Sequence, residues 1–308
     1  MKMINKIKQN YWIIRNRLHE VKIAYNAKKI RKLFHADVMS EEQTLDTVLK
    51  KGCSIARFGD GEFGIMLNQR DIGFQQASNR LADMLKEVID SDKENLLICI
   101  PHTLNTVNGY KKEASLFWNN WLIHNWDSSI KLCQKKINKR YLFGDTQVTR
   151  PYMDWKTDSK AKTVFPLFRE ILNNRDILIV EGSQTCLGVG NDLLKNARTI
   201  KRIICPATNA FAFFDDIIDG VLKCYEGELV LLALGPTATV LAAKLTEYGI
   251  QALDIGHLDI EYEWYLMGAQ KKCLIQGRYV NEVHGGSNVT VTLDNMEYQL
   301  QIIKRIGE

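Results

Sequence analysis

From about residue 40 the chain alternates short blocks of unbroken apolar residues with longer stretches in which apolar residues recur every three or four positions. Blocks at 53–58, 95–101, 176–182, 202–206, 228–234 and 251–256 lack polar alternation, as strands covered on both faces do. Stretches at 78–90, 190–197 and 238–248 keep the helical period. Their interleaving predicts an α/β fold, a mainly parallel sheet with flanking helices. Residues 109–130 are helical in period and rich in Trp (118, 121, 126), which suits a packed helix or a lid over a pocket, with core packing favoured. The tail from 273 changes character, and the alternation over 286–305 predicts an antiparallel hairpin.

Ahead of this body, Ile4, Ile7, Tyr11, Ile14, Leu18, Val21 and Tyr25 follow a strict 3-4 spacing, a narrow apolar seam on one amphipathic helix. Such a helix suits docking on its own domain, self-association, or contact with an anionic membrane surface. The chain therefore divides into 1–38, a basic amphipathic helix, 39–272, a catalytic domain, and 273–308, a β-hairpin extension.

Charge sharpens this division. The net charge of +5 resolves into +9 over residues 1–35 and −4 over the rest, so the basic character belongs to the first helix. A nucleic-acid partner would call for a basic stripe on the folded body, and none is expected. The seven cysteines form no Cys-x-x-Cys pair, which argues against a disulfide framework or a zinc site and for a reducing cytoplasm. No apolar run is long enough to span a bilayer, and no signal-peptide pattern opens the chain. The expected location is cytoplasmic, with peripheral attachment to the inner membrane face as one role for the first helix.

The chemistry concentrates at Arg57-Phe58-Gly59-Asp60-Gly61-Glu62, directly after the first apolar block. Asp60 and Glu62 offer oxygen ligands for a hard divalent cation, Gly59 and Gly61 let the backbone approach a ligand, and Arg57 can hold a phosphate or orient a carboxylate. Taken alone, the same hexapeptide also reads as a turn. Two glycine loops add phosphate-binding candidates. One is Glu181-Gly182-Ser183 followed by Gly188-Val189-Gly190-Asn191, read as opening a helix; the other is Gly235-Pro236-Thr237 at a strand-to-helix junction. Neither is a Gly-x-Gly-x-x-Gly or a P-loop. An acidic and aromatic cluster follows the last block, in which His257 and Asp259 can reach a metal, a hydroxyl or a proton, or can simply begin a helix.

In order along the chain, Arg57–Glu62, Glu181-Gly182 with Gly188–Asp192, Ile203–Ala207, Leu234–Ala238 and Asp254–Trp264 resemble the GT-D type glycosyltransferases of bacterial glycan and glycoprotein assembly. The resemblance spans roughly 40–270. It implies a Rossmann-like domain, a UDP-sugar donor, a Mn²⁺ (or Mg²⁺) ion on an Asp-x-Glu motif that maps onto Asp60 and Glu62, and a glycan, lipid-linked glycan or glycoprotein acceptor. His257 and Asp259 remain equal candidates for the base. The rival expectations are another nucleotide-dependent α/β enzyme (a methyltransferase or dehydrogenase) and a non-catalytic subunit that recruits a partner glycosyltransferase.

Overall fold

A computed structural model describes residues 2–33, 35–68, 71–287, 289 and 295–307; for residues 2–11, 13 and 68 only the backbone is described. Its strands are β1 (Ser54–Arg57), β2 (Leu96–Ile100), β3 (Gly144–Asp145), β4 (Asp176–Gly182), β5 (Thr199–Cys205), β6 (Leu229–Ala233), β7 (Ala252–Asp254) and β8 (Ile302–Arg305). The helices are α1 (Lys2–Leu33), α2 (Glu41–Lys51), α3 (Asp60–Asn68), α4 (Asn79–Asp90), α5 (Lys112–Asn138), α6 (Ser159–Ile171), α7 (Phe214–Cys224), α8 (Pro236–Glu247), α9 (Leu258–Leu266) and α10 (Met296–Gln301).

All eight strands join one sheet in the order β3-β2-β1-β7-β6-β4-β5-β8, every pairing parallel. The absence of polar alternation has its cause in two cores. Leu178 and Val180 of β4 face a core shared with α3, α4, α5, α7 and α8. Ile177 and Ile179 face the opposite core, shared with α2, α6 and α9. The middle of β4, Ile177–Val180, is thus apolar whichever way its side chains point. Parallel strands all deliver their carboxyl ends to one edge, and the loops after β1, β4, β6 and β7 meet there.

Two expectations fail locally. The tail is not an antiparallel hairpin: Met296–Gln301 is helical, and Ile302–Arg305 pairs in parallel with β5, Arg202 beside Ile302. Alternation alone cannot name a strand's partner; within 286–305, residues 288 and 290–294 lie outside the described residues. Residues 190–197 form turns, not a helix. Gly188 and Gly190 hold φ of +73° and +80°, which interrupts the helical path. Helix α1 docks on the body with its described seam residues, Ile14, Leu18, Val21 and Tyr25, facing solvent; the opposite face packs on α5 through Ala27, with Arg31 donating to Thr103 O and Asn119 Oδ1. Helix α5 is a packed helix, as favoured: Leu122 and Cys133 are core, and Glu113, Phe117 and Trp118 also line a cavity.

Candidate active site

The acidic pair sits just past the strand end, in the first turn of α3. Gly59 precedes the helix, Phe63 N donates to Gly59 O at 3.1 Å, and Glu62 Oε2 accepts from Gly59 N at 2.7 Å. Glu62 therefore closes the helix start as the reciprocal half of a capping box does, and both carboxylates suit the positive end of the helix dipole. Burial raises the Glu62 pKa to about 7, helped by the nearby Asp254 carboxylate and opposed by Gly59 and Arg57.

Arg57 hydrogen-bonds to Asp254 and Thr149, not to Glu62. Its Nη2 lies 2.6 Å from Asp254 Oδ1, Nε donates to Asp254 O at 2.8 Å, and Nη1 donates to Thr149 Oγ1 at 2.7 Å. Thr239 Oγ1 bridges Arg57 O and Asp254 Oδ2. This latch ties the end of β1 to the end of β7. It needs Gly256, at φ +44°, because a Cβ there would stand 2.0 Å from Arg57 Nη2.

These strand ends open into a cavity of about 700 Å³, a size common for small-molecule sites. Arg57, Gly59, Asp60, Gly61, Glu62, Gly182, Gly235, His257 and Asp259 all line it, so residues from four blocks of sequence converge on one space. Ser183, Pro236 and Thr237 do not line it; Thr237 is buried, with its hydroxyl 3.3 Å from Gln75 Oε1. Gly188, Gly190 and Asn191 border a separate cavity of about 480 Å³. Gly235 has a packing reason for lacking a side chain, since a Cβ would stand 2.3 Å from the Phe74 ring that walls the cavity.

His257 and Asp259 differ sharply. Asp259 is buried, with Oδ1 accepting from Gly188 N and Asn191 Nδ2 at 2.9 Å each and Oδ2 at 3.2 Å from Arg278 Nε. It anchors the 188–191 loop. His257 is partly open, with Nε2 at 2.9 Å from Asn281 Oδ1 and 3.5 Å from Glu282 Oε1. Burial and the positive Arg150 lower its pKa to about 4, which leaves the ring neutral at pH 7.

Sequence reasoning missed part of the wall: Thr146, Gln147, Arg150 and Asp154 from beyond β3, and Lys272, Tyr279, Asn281 and Glu282 from the tail. Arg150 and Lys272 both pair with Glu282, and the two cations hold that carboxyl well below its usual range. No local motif marks these residues; the nearest signal is the density of charge around Lys272 and Glu282.

A further group of metal-ligating residue types lies at the end of β3, where Glu41, His102 and Asp145 bring ligand atoms within 4.8 Å of one another. His102 Nδ1 is hydrogen-bonded to Asp145 Oδ2, and Lys160 Nζ lies 2.8 Å from Glu41 Oε2. Lys160 Nζ also lies 3.1 Å from Glu42 Oε2, so the cluster reads as an internal ionic network of three acids and two bases.

With this geometry in view, the glycosyltransferase GT-D fold model matches residues 55–283. The chain belongs to the GT-D glycosyltransferase family. This GT-D chain is 37% identical over 266 residues to glycosyltransferase GlyD of Streptococcus pneumoniae serotype 4, a match covering 86% of the chain and 32% of that protein. It is 35% identical over 272 residues to a probable glycosyl transferase Gly of Streptococcus gordonii, covering 88% of the chain and 39% of the relative. The GT-D chain thus spans 32% and 39% of the length of these two relatives. Among solved structures, a domain described as having a distinct glycosyltransferase fold superposes with a TM-score of 0.84 at 34% identity, covering 92% of this chain and 99% of that one. A glycosyltransferase from Streptococcus sanguinis superposes at 0.83 with 35% identity, covering 88% and 100%. Family membership sets the GT-D chain apart from the methyltransferase and dehydrogenase alternatives.

Proposed function

We propose that this chain transfers a sugar from a UDP-sugar to a glycan, lipid-linked glycan or glycoprotein acceptor in bacterial surface polysaccharide or glycoprotein assembly, with a divalent cation held by Asp60 and Glu62. The observation that carries this reading is the charge of the cavity. Its wall holds six acidic side chains (Asp60, Glu62, Glu113, Asp154, Asp259, Glu282) against three basic ones (Arg57, Arg150, Lys272). Each basic group already has an acidic partner: Asp254 for Arg57, Glu282 for Arg150, and Glu282 with Asp154 for Lys272. A diphosphate of about two negative charges entering this space meets net repulsion.

The donor set fits the missing charge. Asp60 is exposed to the cavity, Glu62 flanks it, and carboxylate oxygens suit Mn²⁺ or Mg²⁺. The raised Glu62 pKa is what an adjacent cation would reverse. When bound, such a cation neutralises the departing diphosphate as Lewis acid and template.

The protein's own groups have separable tasks. The Arg57–Asp254 latch fixes where β1 delivers the acidic pair. Phe74 and Trp118 supply apolar wall beside it. His257, neutral and on the cavity wall, is the better placed proton acceptor for an attacking hydroxyl, because Asp259 is engaged with the 188–191 loop and Arg278. Incubation with a panel of UDP-sugars and simple acceptors should release UDP from at least one donor when Mn²⁺ is present. Binding of a glycosyltransferase partner with no nucleotide binding at all would favour a recruiting subunit instead.

A further inference from the structure

We infer that α1 lies along an anionic lipid surface, with its outward apolar stripe sunk among the headgroups. At about 100° per residue, Ile14, Leu18, Val21 and Tyr25 share one face of this helix. They are 58%, 66%, 66% and 58% exposed. The opposite face is the one already used: Ala27 is fully buried, Arg31 Nη1 donates to Asn119 Oδ1 at 2.6 Å, and Glu20 pairs with Lys112 at 2.7 Å. Docking on the protein's own body is therefore achieved, and it leaves the stripe bare. In the sequence the same 3-4 spacing continues back through Tyr11, Ile7 and Ile4.

Charge selects the occupant. Exposed Arg15, Lys22 and Lys29 border one edge of the stripe, and exposed Arg17 and Lys28 border the other. Lys29 Nζ stands 4.7 Å over the Tyr25 ring, its stem along the apolar face. A second copy would bring +9 against +9, and Glu20, the sole acid in residues 1–35, is held by Lys112 on the docked side. A bilayer carrying anionic lipids satisfies both the stripe and its cationic borders. The attachment is not remote from the cavity. Helix α5, on which α1 packs, contributes Glu113, Phe117 and Trp118 to the cavity wall. A membrane-bound α1 would therefore hold the site near the lipid surface. The inference rests on α1 alone and stands whether or not UDP-sugar is the donor.

The test is vesicle flotation of the full chain, with phosphatidylcholine alone and with phosphatidylglycerol added. Binding should be on the order of ten-fold or more tighter to the anionic vesicles and should weaken with salt. Leu18→Glu with Val21→Glu should abolish it while leaving the thermal unfolding midpoint unchanged, since both side chains are exposed. Arg15→Gln, Lys22→Gln and Lys29→Gln together should weaken it on the order of ten-fold or more and flatten the salt dependence. Absence of vesicle binding, or equal binding to both compositions, would overturn the inference. So would a concentration-dependent dimer without vesicle binding that the Leu18/Val21 variant dissolves, which would make the stripe an interface between copies.

Discussion

The latch between Arg57 and Asp254 sets the position of the acidic pair, and its energetics can be worked from its burial. The side chains are 12% and 2% exposed and 2.6 Å apart. Asp254→Asn keeps the shape but leaves the guanidinium facing a neutral partner in a poorly solvated place. Removing one member of a buried pair costs about 3–5 kcal/mol, most of it the penalty of the stranded charge. Arg57→Met strands Asp254 instead, and Thr239 Oγ1 at 3.1 Å offsets only part of that loss. In the double variant neither charge is stranded. Its destabilisation should therefore fall short of the sum of the two singles by about 2–3 kcal/mol. Urea unfolding of the parent and the three variants measures this from the midpoints, provided the slope m is unchanged. Gly256→Ala should behave like a weakened latch, because its Cβ displaces Arg57 Nη2. Single-variant costs that add to within about 0.5 kcal/mol would refute the idea that the two charges hold each other.

Two further outcomes follow from the same geometry. Gly235→Ala should weaken nucleotide binding on the order of ten-fold and cost about 1–2 kcal/mol of stability, because a Cβ at φ +56° is strained and displaces the Phe74 ring from the cavity wall; calorimetry and urea unfolding check the two effects, and unchanged affinity would show that Phe74 does not shape the nucleotide site. Stability should also decline as pH rises from 5 to 8, since burial lifts Glu62 and Glu261 to about 7. A carboxyl whose folded pKa is raised binds more protons folded than unfolded, so its contribution is complete below its ordinary value of 4.5 and is lost as pH climbs through about 7. Glu261→Gln should flatten that decline in urea titrations across the range, and an unchanged slope would remove Glu261 as a cause.

The sheet was legible because a strand buried on both faces leaves a block of apolar residues that few other structures need; Ile177–Val180 faces one core with odd residues and the other with even ones. The acidic pair was legible as chemistry but not as structure. Its spacing says nothing of Gly59 capping a helix through Glu62, which depends on the backbone leaving the strand one residue earlier. Arg57 shows the opposite limit: the residue was noticed, yet its partner Asp254 lies 197 positions away, and only the sheet order places β1 beside β7. The same applies to Arg150 and Glu282, which are 132 positions apart. The seam of α1 was correctly periodic. Which face docks, however, was decided by polar contacts of Arg31 and Glu20 with the loop after β2 and with α5, to which a hydrophobic pattern is blind. In the tail, alternation was real in the sequence, but it could not distinguish a hairpin from a strand that closes the far edge of a parallel sheet.

The central claim is that the cavity accepts a diphosphate only when a divalent cation joins Asp60 and Glu62. Calorimetry of UDP binding to the parent, Glu62→Gln and Asp60→Asn, each in Mn²⁺ and in EDTA, tests it directly. The parent should bind at least ten-fold more tightly with Mn²⁺ than with EDTA, and Glu62→Gln should bind equally weakly in both while unfolding cooperatively. Asp60→Asn should lose the same dependence. Equal affinity of the parent with and without the metal would contradict the account.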